Sequence, residues 1–419
     1  MNEDQFPLKD ENNDPNFESI EEEYLSWKKN APLLYDTLVS HLLEWPTMTC
    51  QYFSKSEESK SDSTLIQNFA IGTLTDEQSQ NFLMTMSSKI PVLTSESTSI
   101  KGLEGNLKTN YKCVRIDKKI EHPGEINKLR ICPNQQNLIA TKSGDGNLYV
   151  WDVDSTDSHS TPLLTLTDNL AQGFALDWNC TNGTKLLSGD NKGLICLYSL
   201  EKTFEIKAEH TSESIATKSN NKQNTPAVEI FDNNGMAIND CKFQRIHGSI
   251  FGAVSDDCSI TLWDVRSKNS TPFIRVVAHI NEIFALDFSY HDEFLLLTGA
   301  GDNLIKLWDI RKFVRPVHEF ESHTDKILRV DWNPNNETLF ASTGEDKTVN
   351  IWDCSRIGND VANEDNLDGP PELLFCHKGH KGIVEDICWN PLRDLGMLSV
   401  DSENLLQIWE IDDKIYYDD

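Results

Sequence analysis

Short runs of apolar residues recur along most of this chain, separated by polar, often glycine-bearing turns. Leu194-Ile195-Cys196-Leu197, Phe284-Ala285-Leu286 and Leu328-Arg329-Val330-Asp331-Trp332 are examples. Their length and flanks predict β-strands rather than helices. Many runs close on one signature, an Asp followed six positions later by Trp-Asp. It stands at Asp145…Trp151-Asp152, Asp257…Trp263-Asp264, Asp302…Trp308-Asp309 and Asp346…Trp352-Asp353. Glu403…Trp409-Glu410 is a variant, and a weaker copy ends at Tyr198-Ser199 with Lys192 where the turn acid belongs. Several units also open alike, on a His before an apolar strand: Ala278-His279, Ser322-His323 and Gly379-His380.

The closing positions 151, 198, 263, 308, 352 and 409 are 47, 65, 45, 44 and 57 residues apart. Four-stranded propeller blades repeat at roughly 40–45 residues, so the series reads as blades with two insertions. The fold class is therefore all-β: a seven-bladed WD-repeat β-propeller with an N-terminal α-helix. Six closings are visible. The seventh blade has to come from upstream, where Leu65–Gly72, Asn81–Met86 and Tyr111–Ile116 read as strands. The earlier run Thr47–Phe53 is expected to join the final blade, so that the two chain ends close one ring and leave no open sheet edge. The resulting organisation is an acidic tail over 1–18, a helix packed on the ring over 19–43, the propeller over 44–412 and an acidic tail over 413–419. Within a blade, the opening His, turn Asp and closing Trp are expected to share hydrogen bonds. Their repetition marks them as architecture rather than chemistry.

Composition narrows the function classes. The formal charge is −29, from 67 acidic and 38 basic residues. That excludes a phosphate-backbone binder, which needs a clustered basic surface. It suits a basic partner, and equally a protein merely kept soluble by its charge. The ten cysteines form no C-x-x-C pair and sit mostly in apolar runs, so reduced core residues are expected rather than zinc ligands or disulfides. No stretch approaches the roughly 18 apolar residues of a membrane span, and the amino terminus has no apolar signal region. A soluble protein of nucleus and cytoplasm is expected, without metal, cofactor, membrane or direct nucleic-acid contact.

Three segments depart from the repeat. Ile20, Tyr24 and Trp27 fall at i, i+4 and i+7 of a helix whose other face is Glu21, Glu22, Glu23, Lys28 and Lys29, and Pro32 interrupts it. Such a helix either plugs the ring or forms one wall of a groove for a partner helix. The insertion from Cys354 to Glu372 carries Glu364, Asp365 and Asp368 and ends on Gly369-Pro370-Pro371, which stiffens its base. Its carboxylates suit a guanidinium, or lie idle in solvent; the spacing does not follow a calcium loop. The run Ser212–Asn224 is a polar excursion between blades.

Together these features resemble the histone-binding WD-repeat family, which includes retinoblastoma-binding proteins, the small chromatin-assembly-factor subunit and the regulatory subunit of the type B histone acetyltransferase. The matching segments are Glu22-Glu23-Tyr24…Trp27-Lys28-Lys29-Asn30…Leu34-Tyr35-Asp36, Glu44-Trp45-Pro46 and Asp368-Gly369-Pro370-Pro371-Glu372-Leu373-Leu374-Phe375. The resemblance runs from about residue 20 to residue 412. It implies a groove for a helix of histone H4, with Leu34, Phe375 and Cys376 as its apolar wall. Asp365 and Asp368 would pair with histone arginines, and Glu364 would add negative potential.

It also implies a top-face site for basic tails such as that of histone H3. Glu125 and Asn127 keep that pattern, and the tail is expected near Lys381 to Glu385. Gln172, Asn239, Lys326, Leu328 and Ser402 depart from it, so this second site is expected to be weak. A dock for an acetyltransferase catalytic chain is implied near Arg311 to Val317, with Val314 and Val317 as contacts. The resemblance thus implies a non-catalytic subunit of a type B histone acetyltransferase, with a chromatin-assembly subunit as the alternative. The chain has no G-x-S-x-G elbow, H-E-x-x-H or Walker loop, and Gly144-Asp145-Gly146 is a blade turn.

Overall fold

The computed structural model describes residues 15–59, 64–76, 78–91, 113–154, 161–169, 171–201, 226–267, 270–359 and 369–417, of which 15–23, 55–59, 64 and 91 in backbone only. These residues form seven four-stranded antiparallel sheets. The innermost strands are Cys50–Ser59, Ile126–Ile131, Leu176–Trp178, Ile238–Phe243, Ile283–Phe288, Ile327–Trp332 and Val384–Trp389. Each touches the next, and the last touches the first, so the blades close a ring around an axial channel. The closing tryptophans Trp151, Trp263, Trp308, Trp352 and Trp409 are buried between blades.

Polar side chains stitch the inner strands together. The carboxylate of Asp177 accepts the N–H of Phe243, Asp240 that of Leu286, Asp287 that of Trp332 and Asp386 that of Cys50. Each of these bonds runs from one blade to another. Elsewhere Thr49 Oγ1 and Gln51 Oε1 accept from Leu129 and Ile131, while the Trp178 and Trp389 indoles donate to the carbonyls of Arg130 and Asp331. Buried backbone groups at a blade boundary have no sheet partner of their own, and these bonds supply one.

The blade relay has four members rather than three. His279 Nδ1 lies 2.9 Å from Asp302, its Nε2 lies 2.8 Å from Thr298 Oγ1, and Trp308 Nε1 donates to that same hydroxyl at 2.9 Å. His323, Asp346, Ser342 and Trp352 repeat it. In the last blade His380 meets Asp401, not Glu403, with Ser399 bridging to Trp409. Asp401 also accepts the N–H groups of Glu403 and Leu405. Asp190 does the same for Lys192 and Leu194 in the irregular third blade. In both blades the acid has moved two positions toward the strand, which explains why Glu403 and Lys192 occupy the usual acid position.

Ring closure differs from the expectation. The strand paired with Leu405–Ile411 is Tyr35–Leu42, read from sequence as the end of the helix, while Thr47–Phe53 leads into the inner strand of the first blade. The helix spans Pro15–Leu34 rather than 19–43. Leu34, Leu38 and Leu42 recur at helical spacing, but β-branched Thr37 and Val39 pair with Glu410 and Ile408 in an outer strand that touches neighbours on both faces. The carboxy-terminal segment is likewise no loose tail. Asp413–Tyr417 is a short helix whose Ile415 and Tyr416 pack on the core, Asn336 donating to the Tyr416 hydroxyl.

Replacing a bridging hydroxyl tests the relay. Ser342→Ala strands the Trp352 N–H and one His323 nitrogen in a buried site. It is expected to lower the unfolding free energy by about 1–3 kcal/mol in denaturant titration.

Candidate functional site

The helix Pro15–Leu34 lies against the last two blades. Trp27 and Ala31 are buried and Tyr24 and Leu34 half-buried, a stripe at three- and four-residue spacing, whereas Lys28, Lys29 and Asn30 face solvent. Pro32 sits within the last turn, and the chain leaves the helix directly into the ring-closing strand. The stripe joins a cluster containing Tyr35, Phe375, Trp389 and Trp409.

A buried hydrogen-bond chain locks this junction. Trp27 Nε1 donates to Tyr35 Oη at 2.8 Å, which lies 2.6 Å from His377 Nδ1; His377 Nε2 lies 2.7 Å from Gln407 Oε1. The Gln407 amide nitrogen donates to Ser40 Oγ and the Gly379 carbonyl. That orients the whole chain. With Oε1 as acceptor, neutral His377 carries its proton on Nε2, so bare Nδ1 takes the tyrosine proton. Burial, with His380 alongside, holds His377 well below the usual histidine range, the Gln407 bond acting the other way. Its ring stacks on Trp409, centroids 4.3 Å apart, and meets Trp27 edge-on at 5.6 Å.

The facing wall is the outer strand Leu373–His377 of the sixth blade. Of the three expected wall residues, Leu34 and Cys376 are half-buried at the surface, while Phe375 is only 8% exposed and packs edge-on against Tyr35 at 5.4 Å. Phe375 is therefore mainly core backing for the wall. Leu33, 76% exposed beside Leu34, and half-buried Leu374 extend the apolar strip and were not singled out from sequence.

The insertion between these strands is anchored at both ends. Asp353 caps the turn Cys354–Arg356, and the far end turns through Gly369 (φ 114°), with Leu373 N–H donating to the Pro370 carbonyl. A side chain at Gly369 would face both that φ and Leu373 Cδ2 at 2.9 Å. Glu372 is held by His318 at 2.7 Å. Glu364, Asp365 and Asp368 lie outside the described residues.

On the top face, Glu125 is half-buried beside Gly144, and Asn127 is buried with its amide donating to the Gly173 carbonyl. Asn239 donates to Asp256 and the Ile283 carbonyl, and Lys326 pairs with Glu345 at 3.4 Å. Gln172 and Ser402 are exposed, Ser402 Oγ accepting from Ile383 N–H; Leu328 is half-buried. Lys381 stands over the Tyr24 ring at 4.5 Å, which ties it to the helix side of this face. Glu385 is half-buried, its carboxyl pushed up by burial.

At the other expected dock, Val314 is 90% exposed and Val317 is exposed. Both follow a turn in which Arg311 makes a bidentate pair with Asp309 and covers the Phe294 ring. Buried Phe313 anchors that turn against Trp308 at 5.2 Å. No group of His, Cys, Asp and Glu among the described residues is arranged to hold a metal, and no described helix is long and apolar enough to cross a membrane.

Removing one hydroxyl tests the junction. Tyr35→Phe leaves the Trp27 indole N–H and His377 Nδ1 unsatisfied. It is expected to cost about 1–3 kcal/mol in denaturant titration and to speed hydrogen exchange at the Trp27 indole.

Comparison with known proteins agrees with this geometry. Residues 22–92 cover the exposed half of the helix, the ring-closing strand and most of the first blade. They match a family model described as the histone-binding protein RBBP4 or its counterpart in the CAF1 complex. Residues 112–152 match the WD domain, G-beta repeat, and residues 204–352 match a family model described as the EIPR1 beta-propeller. The repeat accounts for the ring and the leading segment for the histone-binding type; the chain belongs to the WD-repeat histone-binding family.

Proposed function

We propose that this protein is a non-catalytic scaffold that holds a helix of histone H4 between its leading helix and the outer strand of the sixth blade. The observation that carries the reading is the half-buried apolar strip of Leu34 and Cys376, backed by Phe375 and locked through Tyr35 and His377. The insertion bearing Glu364, Asp365 and Asp368 springs from the same edge of the sixth blade. An apolar strip beside carboxylates is what a basic amphipathic helix requires. Acidic net charge adds attraction for a histone before contact.

Within that reading, the chain presents histone H4 to a separate acetyltransferase catalytic chain as the regulatory subunit of a type B complex, in nucleus and cytoplasm. The exposed Val314 and Val317 beside the rigid Arg311 turn offer a dock for that chain. A second assignment, the small subunit of chromatin assembly factor, is supported by the description of the family model that covers residues 22–92. A basic histone H3 tail is a weaker partner. Lys326 adds a like charge to the top face, and the Asn127 and Asn239 amides are already committed to internal acceptors.

Charge reversal of the insertion tests the groove. The double variant Asp365→Lys/Asp368→Lys is expected to weaken binding of an H4 helix peptide by about a hundredfold, two desolvated charge pairs being lost. Fluorescence anisotropy reads it, and unchanged affinity would sink the assignment.

A further inference from the structure

Where the inner strands end and Pro133, Pro334 and Pro391 begin the next turns, the axial channel widens into a cavity of about 240 Å3. It lies away from the helix groove, on the axis rather than at the ring's edge, and owes nothing to the histone reading. Charged side chains from the inner strands surround it. Asp386 takes Lys128 at 3.1 Å, Arg130 at 3.5 Å and Arg329 at 3.3 Å, and Arg329 also lies 3.9 Å from Asp240. Arg245 spans Asp177 at 3.5 Å and Asp287 at 2.8 Å, its guanidinium over the Tyr290 ring.

Two lining groups stand outside these pairs. The buried Lys242 ammonium and the Asp331 carboxyl make no salt bridge among the described residues. Two further lining side chains, Tyr52 at its buried hydroxyl and Arg245 at Nε, have no hydrogen-bond partner. Burial, with Asp287 adding repulsion, pushes the Asp331 carboxyl up to about 7, against the pull of Lys242, Arg130 and Arg245; Tyr290 and Cys388 also face it. In its acid form Asp331 is a further donor. The uncommitted groups around this cavity are therefore an ammonium, a phenol, a guanidinium N–H and, near neutral pH, a carboxylic acid. All of them donate. With Asp331 neutral, the cations Lys128, Arg130, Lys242, Arg245 and Arg329 outnumber the carboxylates Asp177, Asp240, Asp287 and Asp386 by one.

Buried donors without acceptors are costly, and a cation without a counter-charge more so. We propose that the cavity binds a small oxyanion, a carboxylate or phosphate group, held by the Lys242 ammonium with the Tyr52 hydroxyl and Arg245 Nε. The volume admits a small molecule and not a peptide.

Isothermal titration calorimetry of the full chain with inorganic phosphate, and in parallel with succinate, tests this. At least one is expected to bind saturably, one per chain, with Lys242→Met and Tyr52→Phe each weakening it by about tenfold. Phosphate alone would mark a phosphoryl site, succinate alone a carboxylate site. Succinate, whose own charge is constant over the range, should bind more weakly as pH rises through about 7 and Asp331 ionises. Asp331→Asn should remove that dependence. Tyr52→Phe and Asp331→Asn keep side-chain shape, so they decide the matter if Lys242→Met disturbs folding. Absence of saturable binding by both probes, or binding indifferent to Tyr52→Phe and Asp331→Asn, overturns the proposal.

Discussion

The pairing of Tyr35–Leu42 with Leu405–Ile411 is the constraint on which the rest of this structure depends. The three strands after residue 383 make an incomplete blade, and an open edge there would leave a row of unpaired backbone groups. Supplying the fourth strand from the amino-terminal side also fixes the helix. Leu34 is the last helical residue, its carbonyl accepting from Asp412 N–H, and Tyr35 opens the ladder opposite Ile411. The position of the leading helix is thus a consequence of closing the ring. Trp27, Tyr35, His377 and Gln407 then convert a strand pairing into a rigid angle between helix and sixth blade.

The same logic of satisfied polar groups separates architecture from function. The channel-facing aspartates bond backbone N–H groups of another blade, and the blade histidines are committed to hydroxyls and carboxylates. Groups so engaged hold the ring and are not available to a partner. What remains for binding is the surface the repeat does not use: the strip around Leu34 and Cys376, the projecting Val314 turn and the cavity around Lys242.

Much of the ring could be read from the sequence because its signals are local. Trp-Asp closings, opening histidines and turn acids recur within one blade, so spacing alone locates them. The bridging Thr298, Ser342 and Ser399 escaped notice because hydroxyls on a strand are common, and only the fold brings them between His and Trp. Asp401 was passed over for Glu403 because the acid shifts two residues while the tryptophan stays. Tyr35–Leu42 was misread because an outer strand in contact on both faces has no simple alternation, and its leucines happen to fall at helical spacing. For the groove, Leu34, Phe375 and Cys376 came from resemblance. Tyr35 and His377 are 342 positions apart, and no periodicity links them.

Hydrogen exchange of the full chain with and without a histone H4 helix peptide tests the central claim most directly, because it reports every surface at once. Protection concentrated at residues 24–35 and 373–377, with the top-face turns around Glu125, Lys326 and Ser402 unchanged, is the result expected. Protection of those top-face turns with none at the helix and the sixth-blade strand would contradict it.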